Sequence, residues 1–124
     1  MGRTRTAPAS EASSALVEIS NAMVQVYKEV LGRGPTKTRA RFSGTDMLVV
    51  LLEDTLTVPE RKLVGLGECG RVREDRLLLQ LAFEEVKRSD VERILVRRSV
   101  AWVSGIDPRH DLAVEICMLE PPVA

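Results

Sequence analysis

Apolar side chains recur at two different periods along the chain, and the change of period separates a helix from a strand. Over Ser14–Leu31 they are three or four residues apart, which predicts a helix with one apolar stripe. Gly32 follows where a left-handed residue can end a helix, and Pro35 prevents the helix from resuming. Over Lys37–Ser43 the period is two, which predicts a half-buried strand with its cations on one face.

The next apolar run, Met47–Glu53, is hydrophobic at odd and even positions alike. This pattern is typical of a central strand that is covered on both faces. The turn-prone residues Ser43-Gly44-Thr45-Asp46 connect it to the preceding strand, so the two strands form a predicted hairpin.

Helical periodicity returns after the hairpin. Thr57 and Glu60 have the spacing of a capping box, and Pro59 is tolerated in a first helical turn, which predicts a short helix ending near Leu66. Glycines then precede a long amphipathic helix, predicted over Arg71–Leu95. Its predicted apolar face consists of Val72, Leu78, Leu79, Ala82, Phe83, Val86 and Ile94.

Two further strands, near Arg98–Gly105 and at Leu112–Leu119, are joined by a turn that contains Pro108. The order α-β-β-α-α-β-β predicts a two-layer α+β fold, in which helices cover a four-stranded, largely antiparallel sheet. We expect a disordered tail over residues 1–12, one domain over 13–120 and a C-terminal tail over 121–124. Because Met47–Glu53 is apolar on both faces, we expect a homodimer in which the sheet or the first helix of a second copy covers it.

Composition narrows the classes of function. The 124 residues have a formal net charge of zero, but residues 1–41 carry seven Lys or Arg against three Glu, and residues 42–124 carry eleven against fifteen acids. Neutral charge and 3% aromatic residues argue against a nucleic-acid-binding protein, which is usually basic with stacking rings. The basic first third favours an anionic partner instead.

The sequence offers few residues for metal or redox chemistry. Cys69 and Cys117 are far apart and His110 is the one histidine, so a zinc site lacks ligands, and we expect reduced thiols and no cofactor. The longest apolar run is too short to cross a bilayer. We therefore expect a cytoplasmic protein that reaches a membrane only through a protein partner.

The first group of candidate binding residues is basic: Arg33, Lys37, Arg39 and Arg41. The last three share one strand face and could bind an acidic protein surface or a small anion. Alternatively, the row is a solvated face whose charges discourage edge pairing. The glycines beside Arg33 lack the spacing of a phosphate-binding loop.

Glu53 and His110 complete the candidate set. Glu53 and Asp54 are adjacent, so on a strand they point opposite ways, and pairing with the arginines is favoured over an acid/base pair. His110 lies among acids in a turn and is the sole candidate base, but no nucleophile can be placed beside it. We therefore predict no catalytic residues.

Several segments together resemble one bacterial family. They are Tyr27-Lys28-Glu29, Gly32-Arg33-Gly34-Pro35, Leu52-Glu53-Asp54-Thr55-Leu56-Thr57 with Glu60, and Val114-Glu115-Ile116-Cys117-Met118-Leu119-Glu120. Over Leu16–Glu120 the chain resembles the MpsC-type family, named for a membrane-potential-generating system. The resemblance implies a small cytosolic component of a cation- or bicarbonate-related transport system, and it supplies no catalytic residues.

Two functions follow as hypotheses. The first is a non-enzymatic accessory or regulatory protein that meets an acidic partner, such as a membrane transporter subunit, or a small anion through the Arg33–Arg41 surface. The alternative is a small-molecule sensor or enzyme with a pocket at a homodimer interface, formed by Arg33, Glu53 and His110.

Overall fold

The computed structural model describes residues 9–121, which form one helix, two strands, three further helices and two further strands. The predicted α+β class is confirmed, and the elements occur in the predicted order, with the long third helix divided in two. The elements are α1 (Ala9–Leu31), β1 (Lys37–Ser43), β2 (Met47–Glu53), α2 (Val58–Gly65), α3 (Cys69–Ala82), α4 (Glu84–Leu95), β3 (Ser99–Asp107) and β4 (Leu112–Leu119).

Helix α1 begins at Ala9, five residues before the predicted start. Residues 9–12 contain Ala and Glu, which favour a helix even where the apolar stripe has not yet begun. The remainder of the predicted N-terminal tail, and residues 122–124 of the predicted C-terminal tail, lie outside the described residues. At the other end, Gly32 takes a φ of 79° and its amide donates to the Lys28 carbonyl, as predicted for a glycine that ends a helix.

The four strands form one antiparallel sheet in the order β1-β2-β4-β3. Strands β2 and β4 therefore occupy the centre and β1 and β3 the edges. Both central strands have the predicted bounds, because each is a mainly apolar run between turns. In the register, Val50 of β2 lies opposite Glu115 of β4, which places an acidic residue at the centre of the sheet.

Helices α1, α3 and α4 contact the sheet directly, and α2 contacts α3. The buried core between the layers includes Ile19 and Met23 of α1, Leu48 and Leu52 of β2, and Val91 of α4. Within the single chain, helices cover only one face of β2, and the other face is the one that a second copy was expected to cover. Leu48, Val50 and Leu52 are buried, whereas the residues between them are only half-buried by their neighbours in the sheet.

The predicted helix Arg71–Leu95 is interrupted at Phe83, where α3 ends and α4 begins. The Lys87 side chain explains the break. Its ammonium group is buried rather than exposed, and it donates to the Gln80 carbonyl at 3.0 Å. A side chain that takes a backbone carbonyl in this way interrupts the helical hydrogen-bond series.

The predicted buried face of this helix is also wrong in part. Leu78 is 67% exposed and Val86 is 47% exposed, whereas Arg76, Gln80 and Lys87 are buried. The inward positions are thus polar, which is possible only because each buried group finds partners in the interior.

Candidate functional site

A cluster of polar side chains lies between the helices and the sheet, and we call it the polar core. Its centre is Glu115 of β4, which is 1% exposed and lies among apolar residues of β2. The members are Tyr27, Gln80, Lys87, Trp102, Ser104 and Glu115.

Each carboxylate oxygen of Glu115 accepts hydrogen bonds from a different part of the fold. Oε2 accepts from the Tyr27 hydroxyl at 2.6 Å and from Lys87 Nζ at 2.9 Å. Oε1 accepts from Trp102 Nε1 at 2.8 Å and from the Ser104 hydroxyl. Helices α1 and α4 and strands β3 and β4 are therefore joined through one carboxylate. Such a buried charge is tolerable because it has both a cation and neutral donors.

The surroundings fix the protonation of the Tyr27 phenol. Burial raises the pKa of Tyr27 far above its usual range, and the adjacent Glu115 carboxylate raises it further. The phenol is therefore neutral and acts as a hydrogen-bond donor. Its hydroxyl donates to Glu115 in the buried interior. This hydrogen bond is suited to holding α1 against β4.

A second buried ion pair lies beside the polar core. Arg76 is 1% exposed and its guanidinium donates to both Glu60 carboxylate oxygens, at 2.7 and 2.8 Å. It also donates to the Thr55 hydroxyl at 3.0 Å. Glu60 simultaneously accepts from the Thr57 amide at 2.8 Å, so the predicted capping box is confirmed and is tied to α3.

Glu60 remains charged in spite of its partial burial. Burial is the largest single influence and would raise its pKa, but the hydrogen bonds from Arg76 and Thr57 together hold the pKa below its usual range.

A cavity of about 20 Å³ lies between α1 and α3 and borders the polar core. Its walls are mainly apolar, and Gln80 and Lys87 contribute polar groups. The Gln80 side-chain oxygen is buried and has no hydrogen-bond partner among the described residues. The space is about the size of one water molecule and far below the roughly 300 Å³ of ordinary ligand pockets.

Three loops and helix α2 meet at one end of the sheet. We call four of their charged residues the loop cluster: Arg33, Asp54, Arg61 and Asp111. Asp54 accepts from Arg33 in a two-pronged contact at 3.1 and 3.4 Å, and it also contacts Arg61. Asp111 accepts from the backbone amides of Thr55 at 2.8 Å and Leu56 at 3.1 Å. The cluster ties the α1–β1, β2–α2 and β3–β4 connections together.

The loop cluster also contains two unusual backbone conformations. Asp54 and Asp111 have φ values of 62° and 51°, a left-handed region that Asp tolerates better than most residues. The Arg33 hydrogen bonds are the main cause of a lowered pKa for Asp54, which keeps this carboxylate charged. His110 lies next in the chain to Asp111 but is 73% exposed, and its Nδ1 contacts Asp107 at 2.9 Å rather than the cluster.

The sheet face away from the helices is the third feature, and we call it the open sheet face. Its residues alternate with the buried ones along each strand. Strand β1 contributes a basic edge, composed of Lys37, Arg39 and Arg41. The apolar part of this face consists of Met47, Val49, Leu51, Ala101, Val103, Val114, Ile116 and Met118.

The basic edge is directly continuous with the apolar part. In the register Arg41 lies opposite Val49, and Arg39 lies opposite Leu51. Arg39 contacts Glu53 at 3.4 Å in an exposed pair. Within residues 9–121, no carboxylate lies within 4.0 Å of the charged groups of Lys37 or Arg41. The edge therefore carries more positive than negative charge.

The candidate residues that were identified from the sequence lie in three different places in the structure. Lys37, Arg39 and Arg41 share one exposed strand face, and Glu53 joins them through Arg39. Arg33 belongs to the loop cluster instead, and His110 lies apart in an exposed ion pair. Within the chain, Arg33, Glu53 and His110 therefore pair with different side chains, namely Asp54, Arg39 and Asp107.

Sequence reasoning missed the buried charges Arg76, Lys87 and Glu115. One pattern could have indicated the first two, because Val72, Arg76, Gln80, Lys87 and Val91 fall at helical spacing on one face. Glu115 stands at a position of β4 where the alternation requires an inward side chain.

Two classes of site receive no candidate among the residues that the structure covers. Within 9–121, no three His, Cys, Asp or Glu side chains converge in a way that could hold a metal ion. Over the same range, every helix is too short or too polar to cross a bilayer.

One comparison with known proteins identifies a relationship. The family model described as "Na+-translocating membrane potential-generating system (MpsC)" matches residues 13–121, nearly the whole chain. No curated protein and no solved structure matches the chain.

Proposed function

Because this chain belongs to the MpsC family, we propose that it is an accessory component of a Na+-translocating, membrane-potential-generating system. In this proposal it has no catalytic role and binds an acidic segment of a membrane-embedded partner through the open sheet face. The observation that carries the proposal is the combination, on one exposed surface, of an apolar centre with a basic edge.

The apolar centre supplies the binding energy and the basic edge supplies the choice of partner. Met118 is 37% exposed and Val103 is 60% exposed, and the two residues lie on adjacent strands of this face. Contiguous apolar surface of this kind typically marks an interaction site. Charges at its border steer association with a surface of opposite sign.

The charge distribution favours an acidic partner over a second copy of the same face. If two copies stacked with β1 over β1, Lys37, Arg39 and Arg41 would face their own counterparts. If β1 stacked over β3, the cations would face apolar residues such as Val103. Both arrangements leave like charges close together or desolvate cations without partners, which costs free energy.

The interior supports a scaffold role better than a reaction. The charged groups of the polar core are saturated with intramolecular hydrogen bonds, and the adjacent cavity has room for about one water molecule. A small-molecule sensor or enzyme would need an interior pocket at least about fifteen times larger. The open sheet face is the broader feature, which favours a macromolecular partner.

We place the protein in the cytoplasm, held at the membrane through its partner. This location agrees with the apolar but short segments of the described chain, none of which is suited to anchor it directly. We retain the homodimer as a proposal but assign its contact to a surface other than the sheet.

The test is site-specific photo-crosslinking in the native cell, with a photoreactive residue in place of Met118. We expect a covalent adduct with an integral membrane protein, and we expect the attached peptide, mapped by mass spectrometry, to contain several Asp or Glu. The charge reversal Arg39→Glu with Arg41→Glu should reduce the adduct strongly. Both arginines are exposed, so the reversal should leave the fold intact.

The matched control is Lys62→Glu with Arg93→Glu, an equal change of charge on exposed positions of α2 and α4. This control should leave the adduct yield unchanged. An adduct that persists after reversal of Arg39 and Arg41 would overturn the role of the basic edge. An adduct composed only of two copies of this chain, or of this chain and nucleic acid, would overturn the proposal that the partner is an acidic membrane protein.

A further inference from the structure

Strand β1 lies at an edge of the sheet, so every second residue directs its backbone amide and carbonyl away from β2. The hydrogen bonds at the two ends of β2 show which residues these are. Leu119 donates to the Asp46 carbonyl at 2.8 Å, and Asp54 donates to the Asp111 carbonyl at 3.1 Å. The even-numbered residues of β2 therefore bond to β4, and its odd-numbered residues bond to β1.

The register then fixes the orientation of β1. Its odd-numbered residues lie opposite the odd-numbered residues of β2 and bond to them. Thr38, Ala40 and Phe42 direct their backbone groups outward, and we call these groups the free edge of β1. The Ala40 carbonyl accepts from Arg41 Nη1 at 2.9 Å, as expected of a carbonyl that faces away from the sheet. Within residues 9–121, the three outward amides donate to no loop, turn or side chain.

The basic edge alternates with these outward groups. Lys37, Arg39 and Arg41 are exposed, and all three lie on the open sheet face. If an antiparallel strand were added beside β1, these residues would form its non-hydrogen-bonded pairs, in which the Cα atoms are about 4.5 Å apart and side chains lie closest. Each cation would therefore contact one side chain of the added strand, at every second position.

We propose that the free edge of β1 binds an extended acidic segment as a fifth, antiparallel strand with Asp or Glu at every second position. The carbonyls of the segment accept from the outward amides, and its carboxylates pair with the basic edge. The inference rests on the proposed function, because it gives the acidic part of that partner a mode of binding. The remainder of the partner covers the apolar part of the open sheet face.

Charge complementarity decides in favour of an acidic strand over a second copy of β1. An antiparallel pair of β1 strands centred on Arg39 would place Lys37 opposite Arg41, so that cations would meet along the whole contact. An acidic strand instead supplies carboxylates to Lys37 and Arg41, which have none within 4.0 Å among the described residues. The opposite edge strand, β3, has no charged side chain over residues 99–106 and offers an acidic strand no such pairs.

The test is amide hydrogen exchange of the full chain, followed by NMR at low ionic strength, with and without a synthetic peptide. The peptide has the 7-residue length of β1, with three glutamates at every second position and threonines between them. At about ten times its dissociation constant, it should slow exchange of the Thr38, Ala40 and Phe42 amides about tenfold. The Arg39 and Arg41 amides should not change, because they already donate to β2.

A control peptide has the same composition with its three glutamates consecutive. Neighbouring residues of a strand point to opposite faces, so at most two of its carboxylates can reach the basic edge. We expect it to bind about fivefold more weakly.

Thr38→Pro tests the backbone contact while it keeps every cation. Proline removes an outward amide but no hydrogen bond to β2, a position that edge strands tolerate. The variant should bind the alternating peptide about fivefold more weakly. The matched control, Thr38→Val, keeps the amide and should bind as the native chain does, and circular dichroism should show that both variants are folded.

Two results would overturn the inference: no binding of the alternating peptide, or binding that protects none of the outward amides. Equal affinity for the two peptides would also contradict it. An adduct at Met118 that depends on Arg39 and Arg41, without protection of the outward amides by the peptide, would support the proposed function and remove the added strand. Protection by the peptide without a membrane-protein adduct would support the added strand and remove the proposed partner.

Discussion

Replacement of Lys87 by Met is the sharpest test of the polar core. Lys87 is 1% exposed, and its Nζ donates to Glu115 Oε2 at 2.9 Å and to the Gln80 carbonyl at 3.0 Å. Methionine has a similar length but no charge and no donor. The substitution therefore leaves a buried carboxylate without its cation and a buried carbonyl without its partner.

The expected cost follows from those two losses. Removal of one member of a buried ion pair typically costs about 3–5 kcal/mol, and an unsatisfied carbonyl costs about 1–3 kcal/mol. Tyr27, Trp102 and Ser104 would still donate to Glu115, which moderates the loss. We expect a decrease of about 4 kcal/mol in the free energy of unfolding, a large share of the roughly 5–15 kcal/mol of a typical domain.

The assay is guanidinium-induced unfolding followed by tryptophan fluorescence. Trp102 is the one tryptophan in the sequence and its indole contacts Glu115, so the signal reports on the polar core itself. The control is Lys62→Met on exposed α2, which should change stability by less than about 0.5 kcal/mol. Adding Glu115→Gln to Lys87→Met should recover part of the loss, because the uncompensated charge is then gone.

Two results would refute this reasoning. If Lys87→Met cost less than about 1 kcal/mol, Lys87 would have to lie in solvent and the break at Phe83 would need another cause. If the effects of Lys87→Met and Glu115→Gln simply added, the two groups would not interact.

Three further outcomes are expected. Val96→Gly should raise stability by about 1 kcal/mol in the same unfolding assay, because Val96 ends α4 at a φ of 53° that glycine adopts without strain; no gain would contradict this. Stability should fall as the pH drops below about 4.5, because Glu60 and Asp54 have lowered pKa values in the folded chain and the unfolded chain then binds more protons; Glu60→Gln should flatten this pH dependence, and an unchanged profile would exclude Glu60 as its source. Burial raises the pKa of Cys117 to about 11, so iodoacetamide should label Cys69 first, as read by mass spectrometry, and equal rates would contradict the burial of Cys117.

Local patterns were sufficient to predict most of the elements. The bounds of β2 and β4, the glycine at the end of α1 and the capping box of α2 each depend on residues within a few positions of one another. The alternation of β1 likewise placed Arg39 and Arg41 on the exposed side. These features follow from backbone geometry and short-range hydrogen bonds, which a single segment encodes.

The polar core could not be predicted in the same way. Hydrophobicity placed Leu78 inside and Lys87 outside, whereas the fold does the opposite. The inward direction of Lys87 depends on Glu115, 28 positions later in the chain, and a charged residue becomes acceptable in the interior only when such a partner exists. Because α3 directs its polar face, with Arg76 and Gln80, into the interior, the leucines on its opposite face are exposed.

The segments that carry the family resemblance correspond mainly to the interior. Tyr27 and Glu115 belong to the polar core, Arg33 and Asp54 to the loop cluster, and Glu60 to the buried pair with Arg76. Each of these contacts joins elements that are distant in the chain. In this chain, these segments therefore supply much of a scaffold of ion pairs and hydrogen bonds.

The basic edge of the open sheet face lies outside those segments, whereas Val114, Ile116 and Met118 of its apolar part lie within the last of them. Arg39 and Arg41 take part in none of the interior networks and can change without cost to the fold. On this reasoning, substitutions in the polar core should reduce stability and partner binding together, whereas charge reversal at the basic edge should reduce partner binding alone. Measuring unfolding and crosslinking yield on the same set of variants separates the two effects, and a basic-edge variant that unfolds early would contradict the division.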